Sequence, residues 1–500
     1  MKRKVANFFL YLFIFISILL LFSSIWVHKK FGLINYDSLL YTISNGLEGT
    51  ESGMINSYIL YPFMSSILII FSIMFFNYFF KKELSSNIPV INIVLFNKIK
   101  KEINIFFFVY SFRIVIAIII FCFCFICVIF DFKFIDYLKN RNDYSLFIEE
   151  NYSDPKTTNI EFKEKRNLIH IFVESLEYTY ADKQNGGAFD YNLIPNLTEL
   201  KNNNTSFTNS FGGGFYNPRG TGWTAGGMVG QTSGIGLFTT LDGNSFGDND
   251  NFLPGVYSLG DVLEENGYKN VLFIGSDADF GNRRSYFVNH GNYEIKDYNY
   301  AIRMGYIPED YFVWWGYEDS KLFEFAKKEI INLSKENQPF NFTMLTTNTH
   351  HGGGYLEPDS SNIYEVEQFN IIVNTDKQLY EFINWIKDQD FYENTTIVVT
   401  GDHLSMEPDL FNNLGDYRRT NFNLFINPYR DALNKNNRLF STFDIYPTII
   451  DSIGGVIEGD RLGLGTDLFS NKQTLYEQFG IDVVEIELNK NSLFYTNKIK

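Results

Sequence analysis

Asn167-Leu-Ile-His-Ile-Phe-Val173 runs almost without a polar break and then stops at Glu174-Ser175. An apolar run of this length, with no strict alternation, fits a strand covered on both faces, as in the middle of a parallel sheet. Further runs of the same kind follow at Val271–Ile274, Phe340–Thr347 and Thr395–Thr400. Around them the pattern predicts helices at Pro195–Leu200, Ser258–Asn266, Asp319–Leu333, Leu379–Lys387 and Thr442–Ile453. Proline is well tolerated at a first helical position, and Gly267 and Gly454-Gly455 act as stops. Strands alternating with helices predict an α/β domain with a central, mostly parallel sheet.

The 500 residues allow roughly three domain equivalents. Upstream of the sheet the composition changes. Apolar runs cover Phe8–Val27, Tyr58–Phe80 and Ile105 to about Phe130, each long enough to cross a hydrocarbon core of about 20 residues. The predicted layout is a membrane domain with three transmembrane helices over 1–136, a polar linker over 137–166, the α/β domain over 167–470 and a C-terminal tail over 471–500. The start, Met1-Lys-Arg-Lys4, is basic, as is the link carrying Lys81, Lys82, Lys98, Lys100 and Lys101; the positive-inside rule puts both in the cytoplasm. Lys29 and Lys30 oppose this, in a loop that also holds Asp37, Glu48 and Glu51. Three crossings then leave the large domain extracytoplasmic.

Charge and cysteine usage narrow the function. After Glu150 the chain carries 28 basic residues against 48 acidic, which argues against a nucleic-acid partner. Cys122, Cys124 and Cys127 all lie in the third apolar run, so the α/β domain folds without a disulfide.

Polar groups collect just past the strand ends. Glu174 follows the first strand, His350-His351 the third and Asp402-His403 the fourth. In open α/β sheets that edge is where ligands bind. Carboxylates, imidazoles and a hydroxyl make a hard, mixed O/N donor set, suited to Mn²⁺, Mg²⁺ or Zn²⁺. The hydroxyl comes from Gly220-Thr-Gly-Trp-Thr224-Ala-Gly-Gly-Met-Val229, a run of small residues that can open a helix and bring its N-terminus close to an anion. Each group also has a plain structural reading, as a helix-start carboxylate, a turn-former or a solvated loop pair. Their coincidence at one sheet edge is what carries weight.

Four ordered motifs bear a family resemblance: Phe172-Val-Glu174-Ser175, Gly220 to Met228, Thr347-Asn-Thr-His350-His351 and Gly401-Asp402-His403-Leu-Ser-Met406. The chain resembles the phosphoglycerol transferases of the alkaline phosphatase/sulfatase superfamily, and within it the phosphoglycerol transferase I and lipoteichoic acid synthase-like enzymes. The resemblance implies one divalent cation, Mn²⁺ or Mg²⁺ rather than Zn²⁺, held by Glu174, Thr224, Asp402 and His403. It further implies Thr224 as nucleophile, Arg283 (or its neighbour Arg284) as phosphate clamp and His350 in the same site. The implied reaction moves glycerophosphate from phosphatidylglycerol to a periplasmic glucan, another extracytoplasmic glycan or a polyglycerolphosphate acceptor such as lipoteichoic acid, through a phospho-threonine. The implied location is the bacterial inner (cytoplasmic) membrane, multi-pass, with the catalytic domain outside. Alternatives are a phosphoethanolamine transferase, a sulfatase-family hydrolase and a non-catalytic tethered binding domain. A sulfatase needs a Cys/Ser-x-Pro-x-Arg motif, which Asn217-Pro218-Arg219 does not supply.

Reporter fusions check the topology. A fusion after Lys100 is expected to read cytoplasmic and one after Asp154 extracytoplasmic; a cytoplasmic reading at Asp154 would put the large domain on the wrong side.

Overall fold

The computed structural model describes the chain except residues 1, 32–35, 45–51, 84–89, 96–98, 133, 136–138, 140–142, 240–250 and 412–413. Glu48, Glu51 and Lys98, invoked above for topology, lie outside the described residues. The chain divides into two compact units, Met1–Gly32 with Thr50–Asp136, and Leu33–Gly49 with Tyr137–Lys500.

In the smaller unit, Asn7–Lys30, Gly53–Phe76 and Ile114–Asp131 are helical and apolar enough to cross a membrane. The second contains a π-helical step at Ile59–Phe63, around Pro62. A proline removes one backbone donor and crowds the preceding turn, and a wider turn relieves both. Within the basic link, Val90–Leu95 pairs antiparallel with Ile99–Asn104.

The larger unit is built on a six-stranded sheet. Its order is Glu294–Lys296, Lys269–Ile274, Phe340–Leu345, Asn167–Val173, Thr395–Gly401, Asn423–Ile426. Every neighbouring pair is parallel except the last, where Asn423–Ile426 runs antiparallel to Thr395–Gly401. Asn167–Val173 is central, and its side chains alternate between two covered faces. Ile169, Ile171 and Val173 enter a core shared with the helices Pro195–Asn203, Asp319–Leu333 and Glu367–Lys387. Leu168 and Phe172 face the other side, toward Thr224–Ser233, Leu259–Glu265 and Ile445–Ser452. His170, the one polar residue inside the run, is fully buried; burial alone lowers its pKa to about 3, so its neutral ring pairs with the Thr400 hydroxyl at 3.2 Å.

Local chemistry explains several helix ends. Ser258 caps Leu259–Glu265 through a capping box with Asp261, each satisfying a backbone N–H of the other. Glu367–Lys387 begins twelve residues before the start its sequence pattern indicates. Its first half, with Ile371, Ile372, Val373 and Thr375, is β-branched and poor in intrinsic helix propensity, yet Phe369, Ile372 and Leu379 bury one face against the sheet. Packing outweighs propensity there.

Described residues within the predicted linker and tail carry regular structure. Ile160–Phe162 pairs with Gly455–Ile457, and the C-terminal stretch forms helices Leu475–Phe479 and Ile481–Leu488. Val484 and Leu488 are buried in the same core as Phe147 from the helix Phe147–Asn151.

Candidate active site

The register of the sheet creates the site. Val173 pairs with Gly401, and Phe172 pairs with both Thr400 and Leu345. Parallel neighbours lie about 4.8 Å apart, so the next residues on the two strands, Glu174 and Asp402, leave the sheet side by side. Both are buried, Glu174 at 1% exposure and Asp402 at 0%. Ser175, just beyond Glu174, adopts a left-handed conformation (φ 56°), which turns the chain sharply at the strand end. Its N–H donates to Asp402 Oδ1 at 2.8 Å and its hydroxyl to Glu174 Oε1 at 2.8 Å. The His403 N–H also donates to Asp402 Oδ1, again at 2.8 Å. Asp402 Oδ2, equally buried, accepts no hydrogen bond.

His403 completes the cluster. Its Nδ1 lies 2.8 Å from the Leu404 carbonyl, which places an N–H there and turns Nε2 toward the carboxylates. Nε2 is 3.3 Å from Glu174 Oε1 and 3.4 Å from Asp402 Oδ2. Thr224 Oγ1 is 3.2 Å from Glu174 Oε2 and 3.3 Å from that same Nε2.

Thr224 opens the helix Thr224–Ser233, and Trp223 before it is extended. The small residues after Thr224 have a steric purpose. A Cβ on Gly227 would lie 2.1 Å from the Asp402 carbonyl oxygen, so only glycine lets the helix approach the strand end this closely. Gln231, one turn further, donates to the Gly401 carbonyl at 2.9 Å and fastens the helix there. Thr221 is engaged elsewhere, since its hydroxyl donates to the Pro218 carbonyl at 2.7 Å within the preceding turn.

His350 and His351 join Glu174 in a second group whose ligand atoms all lie within 4.8 Å of one another, as do those of Glu174, Asp402 and His403. The His350 ring packs on Trp315, 4.4 Å between centroids, and its Nδ1 is 3.1 Å from the His351 carbonyl. Arg283 is buried, with Nε on the Phe280 carbonyl at 2.9 Å and Nη2 on the Asp277 carbonyl at 2.6 Å. Arg284 is held elsewhere, in ion pairs with Asp279 and Asp297 at 2.5 Å.

Two adjacent buried carboxylates repel, and the titration behaviour reflects it. Burial, reinforced by the Glu174 charge, pushes Asp402 up to about 7. Burial also opposes ionisation of Glu174, but His350 and His403 hold its carboxyl well below the usual range. For His403, burial works against the cation, yet Asp402 and Glu174 override it and raise the imidazole to about 9. Burial is the main influence on His350 and lowers it. Burial also lowers Arg283, to about 10, while Glu174 and Asp277 oppose that shift and the guanidinium stays charged at pH 7.

These residues fit a divalent cation. Asp402 Oδ2 has no protein donor, His403 presents a fixed Nε2, and Glu174 and Thr224 add oxygens of the hard type.

Tyr41 and Trp315 have no counterpart in the strand-end reading. Tyr41 lies in the short segment between two apolar runs, with no period or motif to mark it. Trp315 stands in a Trp-Trp-Gly loop, and its sequence signal is that Trp315-Gly316 is among the stretches that carry the family resemblance.

The sulfatase family model matches residues 166–456. A phosphoglycerol transferase I from Xanthomonas campestris pv. campestris (strain B100) is 32% identical over 336 residues, covering 66% of this chain and 46% of that relative. The phosphoglycerol transferase I of Citrobacter koseri is 30% identical over 325 residues, covering 63% of this chain and 40% of the relative. The chain thus spans less than half the length of these curated relatives. A solved structure of a protein in the alkaline phosphatase superfamily from Vibrio parahaemolyticus shares the fold, with a TM-score of 0.51 at 22% identity over 65% of this chain and 76% of that one.

A cation entering the cluster must displace the protons that Asp402 and His403 hold. With those groups raised to about 7 and about 9, affinity for Mn²⁺ is expected to rise steeply with pH below 7, more gently between 7 and 9, and to level off above. The slope corresponds to about tenfold per pH unit for each proton displaced. Calorimetric titrations of the chelated protein with Mn²⁺ at several pH values measure it; a flat profile would contradict a site made of these two residues.

Proposed function

The chain belongs to the sulfatase family, and from that premise we propose that it is a metal-dependent phosphoglycerol transferase. It takes glycerophosphate from phosphatidylglycerol and passes it to an extracytoplasmic glycan or polyglycerolphosphate acceptor. The observation that carries this reading is the Thr224 hydroxyl, at 3.2 Å from Glu174 and 3.3 Å from His403 at the opening of a helix. The curated relatives with the same printed activity support it.

Glu174, Asp402 and His403, with Thr224, would hold one divalent cation, Mn²⁺ or Mg²⁺. When bound, such an ion lowers the pKa of a coordinated hydroxyl and offsets charge on phosphoryl oxygens. Thr224 attacks phosphorus as the alkoxide, and the bond from phosphorus to the diacylglycerol oxygen breaks. Glycerophosphate is left esterified to Thr224. The unpaired N–H groups at the helix start face the phosphoryl oxygens, and Arg283 adds a fixed positive charge. Its neighbour Arg284 is committed to Asp279 and Asp297, which favours Arg283 as the clamp.

His350 serves the second half. Its proton sits on Nδ1 against the His351 carbonyl, so Nε2 is a base available to an incoming acceptor hydroxyl. The acceptor oxygen attacks phosphorus, Thr224 leaves as the alkoxide, and His350 keeps the acceptor's proton. That proton then goes to the diacylglycerol oxygen in the next turnover, which closes the balance.

The same reading places the chain in the cytoplasmic membrane of a bacterium, with the large unit outside. Support comes from Leu33–Gly49, which groups with Tyr137–Lys500 in one compact unit. Two segments on one side of a membrane require an even number of crossings between them, and two apolar helices lie there, so both share a side, which the basic start and the positive-inside rule make the outer one.

Incubation with phosphatidylglycerol followed by acid quench is expected to leave a glycerophosphoryl mass on the peptide containing Thr224. Thr224→Ala should abolish that adduct, and Thr221→Ala should form it. His350→Ala should form it too but turn over about 10²–10⁴-fold more slowly. Phosphatidylethanolamine in place of phosphatidylglycerol should leave no adduct. An adduct on Thr221, or one formed by Thr224→Ala, would refute the assignment.

A further inference from the structure

The helix Tyr36–Ser44, in the segment between the first two apolar helices, is built into the large unit beside the candidate site. Asp37 anchors it. Its carboxylate accepts from Arg219 Nε at 2.7 Å and Nη2 at 3.0 Å, and from the Thr239 N–H at 3.0 Å and hydroxyl at 2.7 Å. Arg219 Nη1 donates in turn to the Leu488 carbonyl at 3.0 Å, so one ion pair joins this segment to the end of the helix Ile481–Leu488. Asp37 and Arg219 are both largely shielded from solvent, where a bidentate pair is strongest.

Tyr41 stands four residues from Asp37, on the same face of the helix. It is 3% exposed. Its ring packs 5.6 Å from that of Trp223, the residue before Thr224, and its hydroxyl donates to the Gly281 carbonyl at 2.8 Å. Gly281 and Asn282 are consecutive left-handed residues, with φ of 67° and 55°. A non-glycine in that conformation is held by its surroundings. Arg283 comes next, and its guanidinium hangs from the carbonyls of Phe280 and Asp277 in the same loop. A single tyrosine thus touches both the loop that presents Thr224 and the loop that aims Arg283. A tyrosine kept only to fill the core needs an acceptor for its hydroxyl somewhere; here the acceptor is the turn that sets the guanidinium.

We propose that Tyr41 is a positioning residue for the reaction, fixing the Gly281–Arg283 turn against Trp223-Thr224. The α/β domain's site is then completed by the segment between the first two apolar helices. The proposal rests on Arg283 acting as the phosphate clamp.

Inorganic phosphate, as a competitive inhibitor of transfer by the full chain in nanodiscs containing phosphatidylglycerol, reads the clamp directly. Mn²⁺ activation, measured alongside, reads the metal cluster. Tyr41→Phe keeps the ring and removes one hydrogen bond. It is expected to weaken phosphate inhibition about three- to tenfold, the worth of such a bond, and to leave the Mn²⁺ activation constant unchanged. Arg283→Ala should weaken inhibition further, and adding Tyr41→Phe to it should change nothing more, because the hydroxyl acts through the guanidinium. Tyr41→Ala should behave like Tyr41→Phe or worse, assayed below its own melting temperature. Unchanged phosphate inhibition in both Tyr41 variants, with Arg283→Ala impaired, would overturn the inference and leave the function intact. Unchanged inhibition in Arg283→Ala would remove the clamp itself, and the inference with it.

Discussion

The pairing of Val173 with Gly401 across two parallel strands is the constraint from which the rest of the site follows. It delivers Glu174 and Asp402 side by side into a place without solvent. Two carboxylates so placed do not both ionise unless something positive joins them. His403 supplies part of that charge, yet burial and then the Glu174 charge still hold the Asp402 carboxyl above its usual range. The bare Oδ2 of Asp402 is the same deficit seen as geometry. A divalent cation resolves both.

Approach to this pair is limited by backbone, not by side chains. Gly401 could not carry a Cβ, which would lie 1.9 Å from the Leu176 carbonyl oxygen, and Gly227 could not carry one on the opposite side. The bare Gly401 lets the turn at Leu176 fold over the strand end, and the bare Gly227 lets the helix Thr224–Ser233 lie against Asp402, where its first hydroxyl reaches the cluster. Thr221, in the turn before, is held by Pro218 and never reaches it. Two neighbouring threonines are separated in role by one turn of chain.

The strand ends were legible because both faces of those strands are covered, which removes alternation and leaves uninterrupted apolar runs. Asn167–Val173 and Asp319–Leu333 have the bounds their sequence predicts. Shorter pieces were not legible. Glu294–Lys296 and Asn423–Ile426 are edge strands of three and four residues, too short to show a period. The residues Glu174, Asp402 and His403 could be picked out since they follow strands in sequence, and Thr224 because glycines surround it. Tyr41 could not. Its contact with Gly281 spans 240 positions, and nothing in its own neighbourhood points there. The choice between Arg283 and Arg284 likewise turns on which one finds Asp279 and Asp297, a matter of tertiary structure.

Anomalous diffraction at the manganese edge, from crystals of the full chain grown with Mn²⁺, tests the central claim most directly. One peak among Glu174, Asp402 and His403, in contact with the Thr224 hydroxyl oxygen, is the result this account predicts. Manganese bound elsewhere while that cluster holds only protons and protein hydrogen bonds would contradict it.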